Sequence, residues 1–523
     1  MGSDWTRRDF LGVVPGIAAA STGTDAGTRA GAGAGADVAT AATSAVTPEL
    51  CYRSVRELAA LLRTRQLSSR ELMSAYLEAI RLWNPHLNAI VARLPDEQCL
   101  RLAEAADARL ARGEPVGALH GLPWAFKDLE PVVGFPWTRG SVIFRDDHPA
   151  SDSVLVQRLR QAGVLPIGKT NTPEFGMGSQ TYNALYGTTL NPYDLSKTAG
   201  GSSGGAAASV AAGMLPAADG SDLAGSLRNP GNFNNVVGFR PTVGLVPMAP
   251  GTMPFLGFAV KGPIARSVSD AALMLSAMAG PDVRDPGCYP SDPTLFAAPL
   301  AGSVKGLRIA WCPDLGGLPL DRRVRAVLES QRHVFEDLGC IVEEAHPDLA
   351  DSDEVFLTLR AFRSWTNLGP LLASHRSELK PEAIWEIEHG ASLTAAQVSA
   401  ALVRHGQIID RFTAFQATYP FLLAAVNQVP AFDARLHWPT AIEGVTMEHY
   451  IAWMKSAYWM TNTFCPAISV PAGFTPEGLP VGIQIVGRHR DDLGVLKLAY
   501  AFEQATNVGA RRPMLPRSTP LQA

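Results

Sequence analysis

Apolar residues recur at helical spacing over residues 54–91, where two segments each combine an apolar face with a charged face. The second segment follows Ser68, and Glu71 comes three positions later, which is the pattern of a capping box. Apolar positions three and four residues apart are typical of amphipathic helices. The pattern therefore predicts a helical hairpin at the start of the folded part of the chain.

Shorter apolar runs alternate with helical segments along the rest of the chain. The run at 119–126 ends just before Lys127 and predicts a buried strand, and 152–174 predicts a capped helix followed by a strand. The same alternation returns at 306–345, where a helix at 321–339 separates two strands. This order predicts an α/β fold, with a central mixed β-sheet sandwiched between α-helices.

Composition and charge narrow the function classes. Of 523 residues, 46% are hydrophobic and 18% are charged, enough apolar material for a large globular core. The net charge of −4 gives no reason to expect nucleic acid as a partner. Beyond the N-terminus no run reaches the roughly 18 apolar residues of a membrane span. The cysteines and histidines lack metal-ligand spacing. We therefore expect no membrane span and no metal.

The first 44 residues differ from the rest of the chain. Arg7 and Arg8 precede a short, weakly apolar run, after which small residues dominate to about residue 44. This resembles a twin-arginine export signal, which predicts an exported protein, periplasmic or extracellular, with its signal cleaved. A disordered tail with a chance arginine pair is the alternative. Residues 45–523 are predicted to form one domain.

Within that domain, residues 350–460 are irregular and are interpreted as a variable, substrate-shaping region. Core packing is one role for the tryptophans there, and an aromatic roof over the site is the other. The two roles are compatible. Five of the ten tryptophans fall in this region: Trp365, Trp385, Trp438, Trp453 and Trp459.

Candidate chemistry concentrates in residues 197–228, where serines stand in two glycine-rich turns around an alanine-rich segment. The letters G-x-S-x-G at 201–205 would make Ser203 the nucleophile of an α/β-hydrolase, but that motif requires a preceding strand and turn-forming residues precede it here. No Lys-Ser or Lys-Thr pair follows the glycines, so a phosphate-binding loop does not fit either.

Taken together, Lys127 after its apolar run, GGSSGG at 200–205 and GSDLAGSLR at 220–228 resemble the amidase signature family. The stretches GKTNTPEFG, NPYD and CPAISVPAGFTPEGLPVGIQIVG look like the same family, and the resemblance runs from about residue 50 to about 515. It implies a single large amidase-signature domain that hydrolyses carboxylic amide C–N bonds.

The resemblance also implies roles for individual residues. Ser226 matches the nucleophile, Lys127 the base, and Ser202 the bridging serine that the family holds after a cis peptide bond, here at Gly201–Ser202. The implied oxyanion hole consists of the backbone N–H groups of Leu223, Ala224, Gly225 and Ser226. The residues with an implied supporting role are Gly201, Ser203, Asp222 and Arg228.

Elementary chemistry agrees with this trio. A serine becomes a strong nucleophile when a base takes its proton, and a lysine is a base only when neutral. The apolar run before Lys127 supplies burial that would lower its pKa from about 10.4 toward about 7 to 8. The acyl-enzyme chemistry then requires no metal and no organic cofactor.

Two positions depart from the family pattern, which commonly has Thr and Gly where this chain has Leu223 and Ala224. The methyl group of Ala224 would narrow or reshape the acyl pocket. The apolar Leu223 and the tryptophans favour uncharged, hydrophobic or aryl amides, with esters, carbamates and linear or cyclic amide oligomers as further candidates. The expected partner is a small-molecule amide, and a homodimer is left open. The alternatives are a tRNA-dependent amidotransferase-type protein and a non-catalytic binding protein with the same fold.

Overall fold

The computed structural model describes residues 48–515. The predicted export segment at 1–44 lies outside them. The helices are α1 (Pro48–Cys51), α2 (Val55–Arg63), α3 (Ser69–Leu87), α4 (Asp96–Ala111), α5 (Val154–Gln161), α6 (Gly204–Ala211), α7 (Arg228–Phe233), α8 (Val268–Met278), α9 (Arg322–Glu329), α10 (Arg332–Asp337), α11 (Ser352–His375), α12 (Pro381–Ser392), α13 (Ala395–Thr418), α14 (Lys455–Thr461) and α15 (Asp492–Thr506).

Two sheets carry the fold. A three-stranded sheet has the order β1-β3-β2, and an eight-stranded sheet has the order β12-β11-β13-β17-β16-β9-β10-β8. The strands of three short two-stranded ladders are β4 (Tyr182–Asn183) with β5 (Gly187–Thr188), β6 (Leu190–Asn191) with β7 (Asp194–Thr198), and β14 (Ala441–Ile442) with β15 (Val445–Thr446). The strands of the two main sheets are β1 (Ile90–Val91), β2 (Pro123–Lys127), β3 (Leu165–Thr170), β8 (Ala217–Asp222), β9 (Val237–Arg240), β10 (Val260–Ala265), β11 (Arg308–Trp311), β12 (Ile341–Glu344), β13 (Phe421–Ala425), β16 (Ala467–Phe474) and β17 (Pro480–Val486).

The eight-stranded sheet is mixed, as the sequence predicts. Strands β12, β11 and β13 run parallel, whereas each remaining neighbouring pair from β13 to β8 is antiparallel. Strand β13 comes from the region at 350–460, so that region supplies part of the central sheet besides its helices.

Helices cover both faces of this sheet because its strands are apolar on both faces. Along β13, Leu423 packs into a core with residues of α8, α9 and α15, whereas Leu422 packs into a core on the other face with residues of α13 and α14. Side chains of successive strand residues point to opposite faces. Both leucines are fully buried, and such burial stabilises the fold by about 1.5–3 kcal/mol each.

The local predictions fare differently. The capping box of Ser68 and Glu71 is present at α3, and Lys127 is the last residue of β2. The predicted helix at 321–339 is instead two helices, α9 and α10. The helix breaks at Ser330, whose hydroxyl donates to the carbonyl of Val327 at 2.7 Å and so competes with the helical backbone bonds. Among the described helices, none is long and apolar enough to cross a membrane.

Candidate active site

Lys127 lies at the end of β2 with its side chain buried. Its ammonium nitrogen Nζ lies 2.8 Å from Oγ of Ser202, 2.8 Å from Oγ of Ser203 and 3.0 Å from Oγ of Ser221. Each of these contacts is to a hydroxyl, which can accept from the protonated amine and donate to the neutral one. The lysine is thus placed to exchange protons with serines.

Burial lowers the pKa of Lys127 to about 7, against the opposing effect of the buried carboxylates of Asp219, Asp222 and Glu130. In an environment of low dielectric the charged form loses its hydration and becomes less favourable. About half of the lysine is therefore neutral at pH 7. A neutral amine beside three hydroxyls can act as a general base.

Ser202 is reached through a cis peptide bond from Gly201, as the family resemblance implies. The carbonyl of Gly201 accepts a hydrogen bond from the hydroxyl of Ser179. A side chain at Gly201 would lie 2.9 Å from Oγ1 of Thr181, so the close packing of this turn requires glycine. Ser203 follows as the N-cap of α6, and its backbone N–H donates to the carbonyl of Ser226 at 3.2 Å. That hydrogen bond joins the two serine-bearing turns.

Ser226 lies in the loop between β8 and α7 and, like Ser202 and Ser221, lines a cavity of about 560 Å³. Across residues 48–515 the structure gives its hydroxyl no hydrogen-bond partner. A hydroxyl that faces a cavity and has no protein partner is available to a ligand.

The loop that carries Ser226 is fixed by a buried ionic network. The carboxylate of Asp222 accepts hydrogen bonds from the N–H of Gly225 at 2.9 Å and from Nε of Arg228 at 3.0 Å, and Nη1 of Arg240 lies 3.3 Å from it. Although burial alone raises the pKa of Asp222, the two guanidinium groups outweigh it and hold that pKa well below its usual range. The carboxylate therefore stays ionised and keeps its hydrogen bonds to Gly225 and Arg228.

One of the four backbone N–H groups of the predicted oxyanion hole, that of Gly225, has a protein acceptor. Its N–H already donates to Asp222, because the loop turns back at this residue with a φ of +100°. In the described part of the chain, the N–H groups of Leu223, Ala224 and Ser226 have no such acceptor. Three of the four predicted donors therefore have no protein acceptor.

The prediction that tryptophans of 350–460 form an aromatic roof over the site is wrong for this cavity. None of the five tryptophans of 350–460 lines this cavity. Trp453, for example, stacks on Phe233 with ring centroids 6.2 Å apart and is buried. Burying a large aromatic ring is favourable, which accounts for Trp453, whereas Trp365 and Trp385 are exposed. The aromatic lining of the cavity comes from Trp137 and Phe175.

Helix α11 supplies polar lining in their place. It contributes one apolar residue, Leu368, and four polar ones: Arg360, Arg363, Ser364 and Asn367.

Sequence reasoning also missed Ser221 and Asp219. Asp219 accepts hydrogen bonds from the backbone N–H of Lys127 at 3.2 Å and from Nε1 of Trp124 at 2.9 Å. The two missed residues are two positions apart on β8, so their side chains share one face of that strand. The alternation of side chains along the strand was the signal that could have identified both residues.

Comparisons with known proteins extend over most of the chain. A model of the Amidase family matches residues 71–496. An acylamidase from Rhodococcus erythropolis is 40% identical over 469 residues, which cover 89% of this chain and 98% of the relative. A glutamyl-tRNA(Gln) amidotransferase component from Moorella thermoacetica is 34% identical over 498 residues, which cover 89% of this chain and 99% of the relative.

Two solved structures resemble the fold. A bacterial aryl acylamidase of the amidase signature enzymes superimposes with a TM-score of 0.83 at 29% identity, covering 88% of this chain and 99% of that chain. A 6-aminohexanoate cyclic dimer hydrolase, solved with its substrate, gives a TM-score of 0.79 at 26% identity, with the same two coverages.

Proposed function

This chain belongs to the amidase signature family, and from that premise we propose that it is an acylamidase-like hydrolase acting through an acyl-enzyme on Ser226. Its being an amide-hydrolysing enzyme follows from the family and from the acylamidase relative. The observation that carries the proposed mechanism is the environment of Lys127: its amine is buried, has a pKa of about 7, and is bonded to hydroxyls.

In the first half of the reaction, Oγ of Ser226 attacks the amide carbonyl carbon and forms a C–O bond. Its proton passes to Ser202, which lines the same cavity and would come within hydrogen-bond distance of Ser226 for this transfer. The proton of Ser202 passes to the neutral amine of Lys127, to which it is already bonded. The tetrahedral intermediate then collapses with cleavage of the C–N bond, and the leaving nitrogen takes a proton back through Ser202. An amine leaves and an ester on Ser226 remains.

In the second half, water attacks the ester and loses a proton along the same route to Lys127. Cleavage of the ester C–O bond returns a proton to Ser226 and releases a carboxylic acid. Free backbone N–H groups at Leu223, Ala224 and Ser226 would stabilise the oxyanion in both halves, and each such donor contributes about 2.7–4 kcal/mol in related chemistry.

The substrates proposed are hydrophobic or aryl amides, with esters and carbamates as side substrates. Support comes from the cavity wall, where Trp137, Phe175, Leu223 and Met454 offer apolar surface, and from the printed names of the acylamidase and aryl acylamidase relatives. The tryptophans of 350–460 do not support this substrate class, since none of them lines the cavity.

Labelling with a fluorophosphonate tests the mechanism. The adduct, mapped by mass spectrometry of the digested protein, is expected on Ser226 and should disappear in Ser226→Ala. Ser203→Ala is the matched control, because its hydroxyl is bonded to the same lysine but belongs to the other turn. An adduct found on Ser203 in the wild-type protein would instead support the α/β-hydrolase alternative and overturn the assignment of Ser226 as nucleophile.

We also propose that residues 1–44 form a cleaved twin-arginine export signal. An exported enzyme would be separated from intracellular aminoacyl-tRNA, which disfavours the amidotransferase alternative. Replacement of Arg7 and Arg8 by lysine should retain the protein in the cytoplasm, as measured by amidase activity in cell fractions. Equal export of both forms would contradict this proposal.

A further inference from the structure

Arg363 is the feature of the cavity that the proposed mechanism does not use. It lies on α11, and its side chain lines the same cavity as Ser226. Among residues 48–515 no carboxylate, carbonyl or ring is placed against its guanidinium group. Arg363 is half-buried, so its guanidinium group is partly desolvated, and a partly desolvated charge without a counter-charge gains from binding an anion.

The other charged groups of the cavity wall are paired. Lys261 lies 2.8 Å from Oε2 of Glu130, Arg139 is paired with Asp147, and Arg360 is paired with Glu386. Arg360 also donates to the hydroxyl of Tyr450 at 2.6 Å. Once these pairs are set aside, the guanidinium of Arg363 is an uncompensated positive charge facing the cavity.

Burial lowers the pKa of Arg363. An arginine starts from so high a value that it keeps its proton at neutral pH. The charge is therefore present when substrate enters. One turn further along α11, Asn367 lines the cavity too; its Oδ1 is occupied by the hydroxyl of Thr252, while its amide nitrogen has no acceptor in the described structure. Residues four apart on a helix share a face.

We infer that Arg363, with the amide nitrogen of Asn367 beside it, binds a carboxylate of the substrate, so that the substrates are amides bearing one anionic group besides the scissile bond. The planar guanidinium fork matches a carboxylate with two parallel hydrogen bonds. A single uncompensated positive charge matches a monoanion, whereas a phosphate dianion would leave negative charge unpaired. This inference rests on the proposed amidase function and refines its substrate class.

Matched anilides test it. One series places a carboxylate on the leaving aniline (4-acetamidobenzoate) and replaces it in the partner compound by a nitro group (4-nitroacetanilide), which has the same planar shape without charge. A second series places the carboxylate or nitro group at the end of a four-carbon acyl chain of an anilide. The measured quantity is kcat/KM for the carboxylate compound divided by kcat/KM for its nitro partner.

In Arg363→Met this ratio is expected to fall by about 10- to 100-fold in one of the two series, the loss of a charge-assisted pair, mainly through KM. Arg363→Lys should keep part of the ratio, because the charge remains. The matched control is Arg376→Met, just beyond the end of α11, whose surface pair with Glu388 lies away from the cavity. It should leave the ratio unchanged.

Binding without turnover separates the two proposals. In Ser226→Ala, calorimetry should show that the carboxylate anilide of that series binds about 10- to 100-fold more weakly when Arg363→Met is added. If wild type hydrolyses the nitro compounds but neither the ratio nor this binding responds to Arg363→Met, the carboxylate site is overturned and the amidase function stands. If no anilide is hydrolysed while the binding difference persists, the proposed function fails instead.

Discussion

Lys127 and Lys169 are both buried, near the ends of two neighbouring parallel strands, yet their surroundings differ in kind. In the ladder of β2 and β3, Phe126 is opposite Lys169 and Lys127 is opposite Thr170. Lys127 contacts serine hydroxyls, whereas Nζ of Lys169 lies 3.4 Å from the carboxylate of Asp128 and donates to the carbonyl of Glu130 at 2.6 Å.

Burial lowers the pKa of both amines, so burial by itself does not distinguish a base from a structural cation. The partner does. The carboxylate of Asp128 opposes the lowering for Lys169 and forms an ion pair with it, whereas hydroxyls can accept and return the proton of Lys127. We therefore expect replacement of Lys127 to lower mainly activity and replacement of Lys169 to lower mainly stability.

The largest effect is expected on activity when the base is removed. Lys127→Met should lower kcat by about 10²–10⁴-fold, the usual contribution of a general base. The three hydroxyls left behind are uncharged, so the free energy of unfolding should change by no more than about 1–2 kcal/mol. Steady-state kinetics and urea unfolding on the same preparation check both parts. Activity within a few-fold of wild type would remove Lys127 from the mechanism.

Lys169→Met should mainly lower stability. Loss of the cation leaves the buried Asp128 without its ion-pair partner, and breaking such a buried pair costs about 3–5 kcal/mol. Urea unfolding of the variant measures this loss. The double variant Lys169→Met with Asp128→Asn should recover part of it. A variant as stable as wild type would show that the pair does not hold the strands together.

The pH dependence of kcat/KM follows from Lys127 alone. The amine works as a base when it is neutral, and its pKa is about 7, so the rate should rise with pH to a plateau above about pH 8 and fall about tenfold per unit well below the pKa. A neutral nitro anilide avoids titration of the substrate. A profile that is flat from about pH 5.5 to 8.5 would contradict the assignment.

The smallest effect is expected at Ser221, the hydroxyl that sequence reasoning missed. Ser221→Ala removes one of the three hydrogen bonds around Lys127 and should lower kcat by about fivefold, the equivalent of one hydrogen bond. The control is Thr170→Val, which deletes a buried hydroxyl without a hydrogen-bond partner on the neighbouring strand. If both variants behave alike, Ser221 is part of the packing and not of the relay.

Local patterns made much of the fold predictable. The capping box at Ser68, the strand ending at Lys127 and the alternation of helices with strands depend on residues close in sequence, and they recur in the structure. The break at Ser330 was missed because one side-chain bond to the preceding turn decided it. The place of β13 in the central sheet was missed because strand neighbours are chosen by long-range pairing.

Residue types at fixed spacing were enough to predict the fold class, the family and the residues offered for catalysis. Which of these groups meet depends on the three-dimensional packing. It brought Ser221 to Lys127, engaged the N–H of Gly225 with Asp222, drew Trp453 into the core, and left Arg363 facing the cavity without a counter-charge. Contacts and missing contacts between distant residues depend on packing in three dimensions, which local periodicity does not encode.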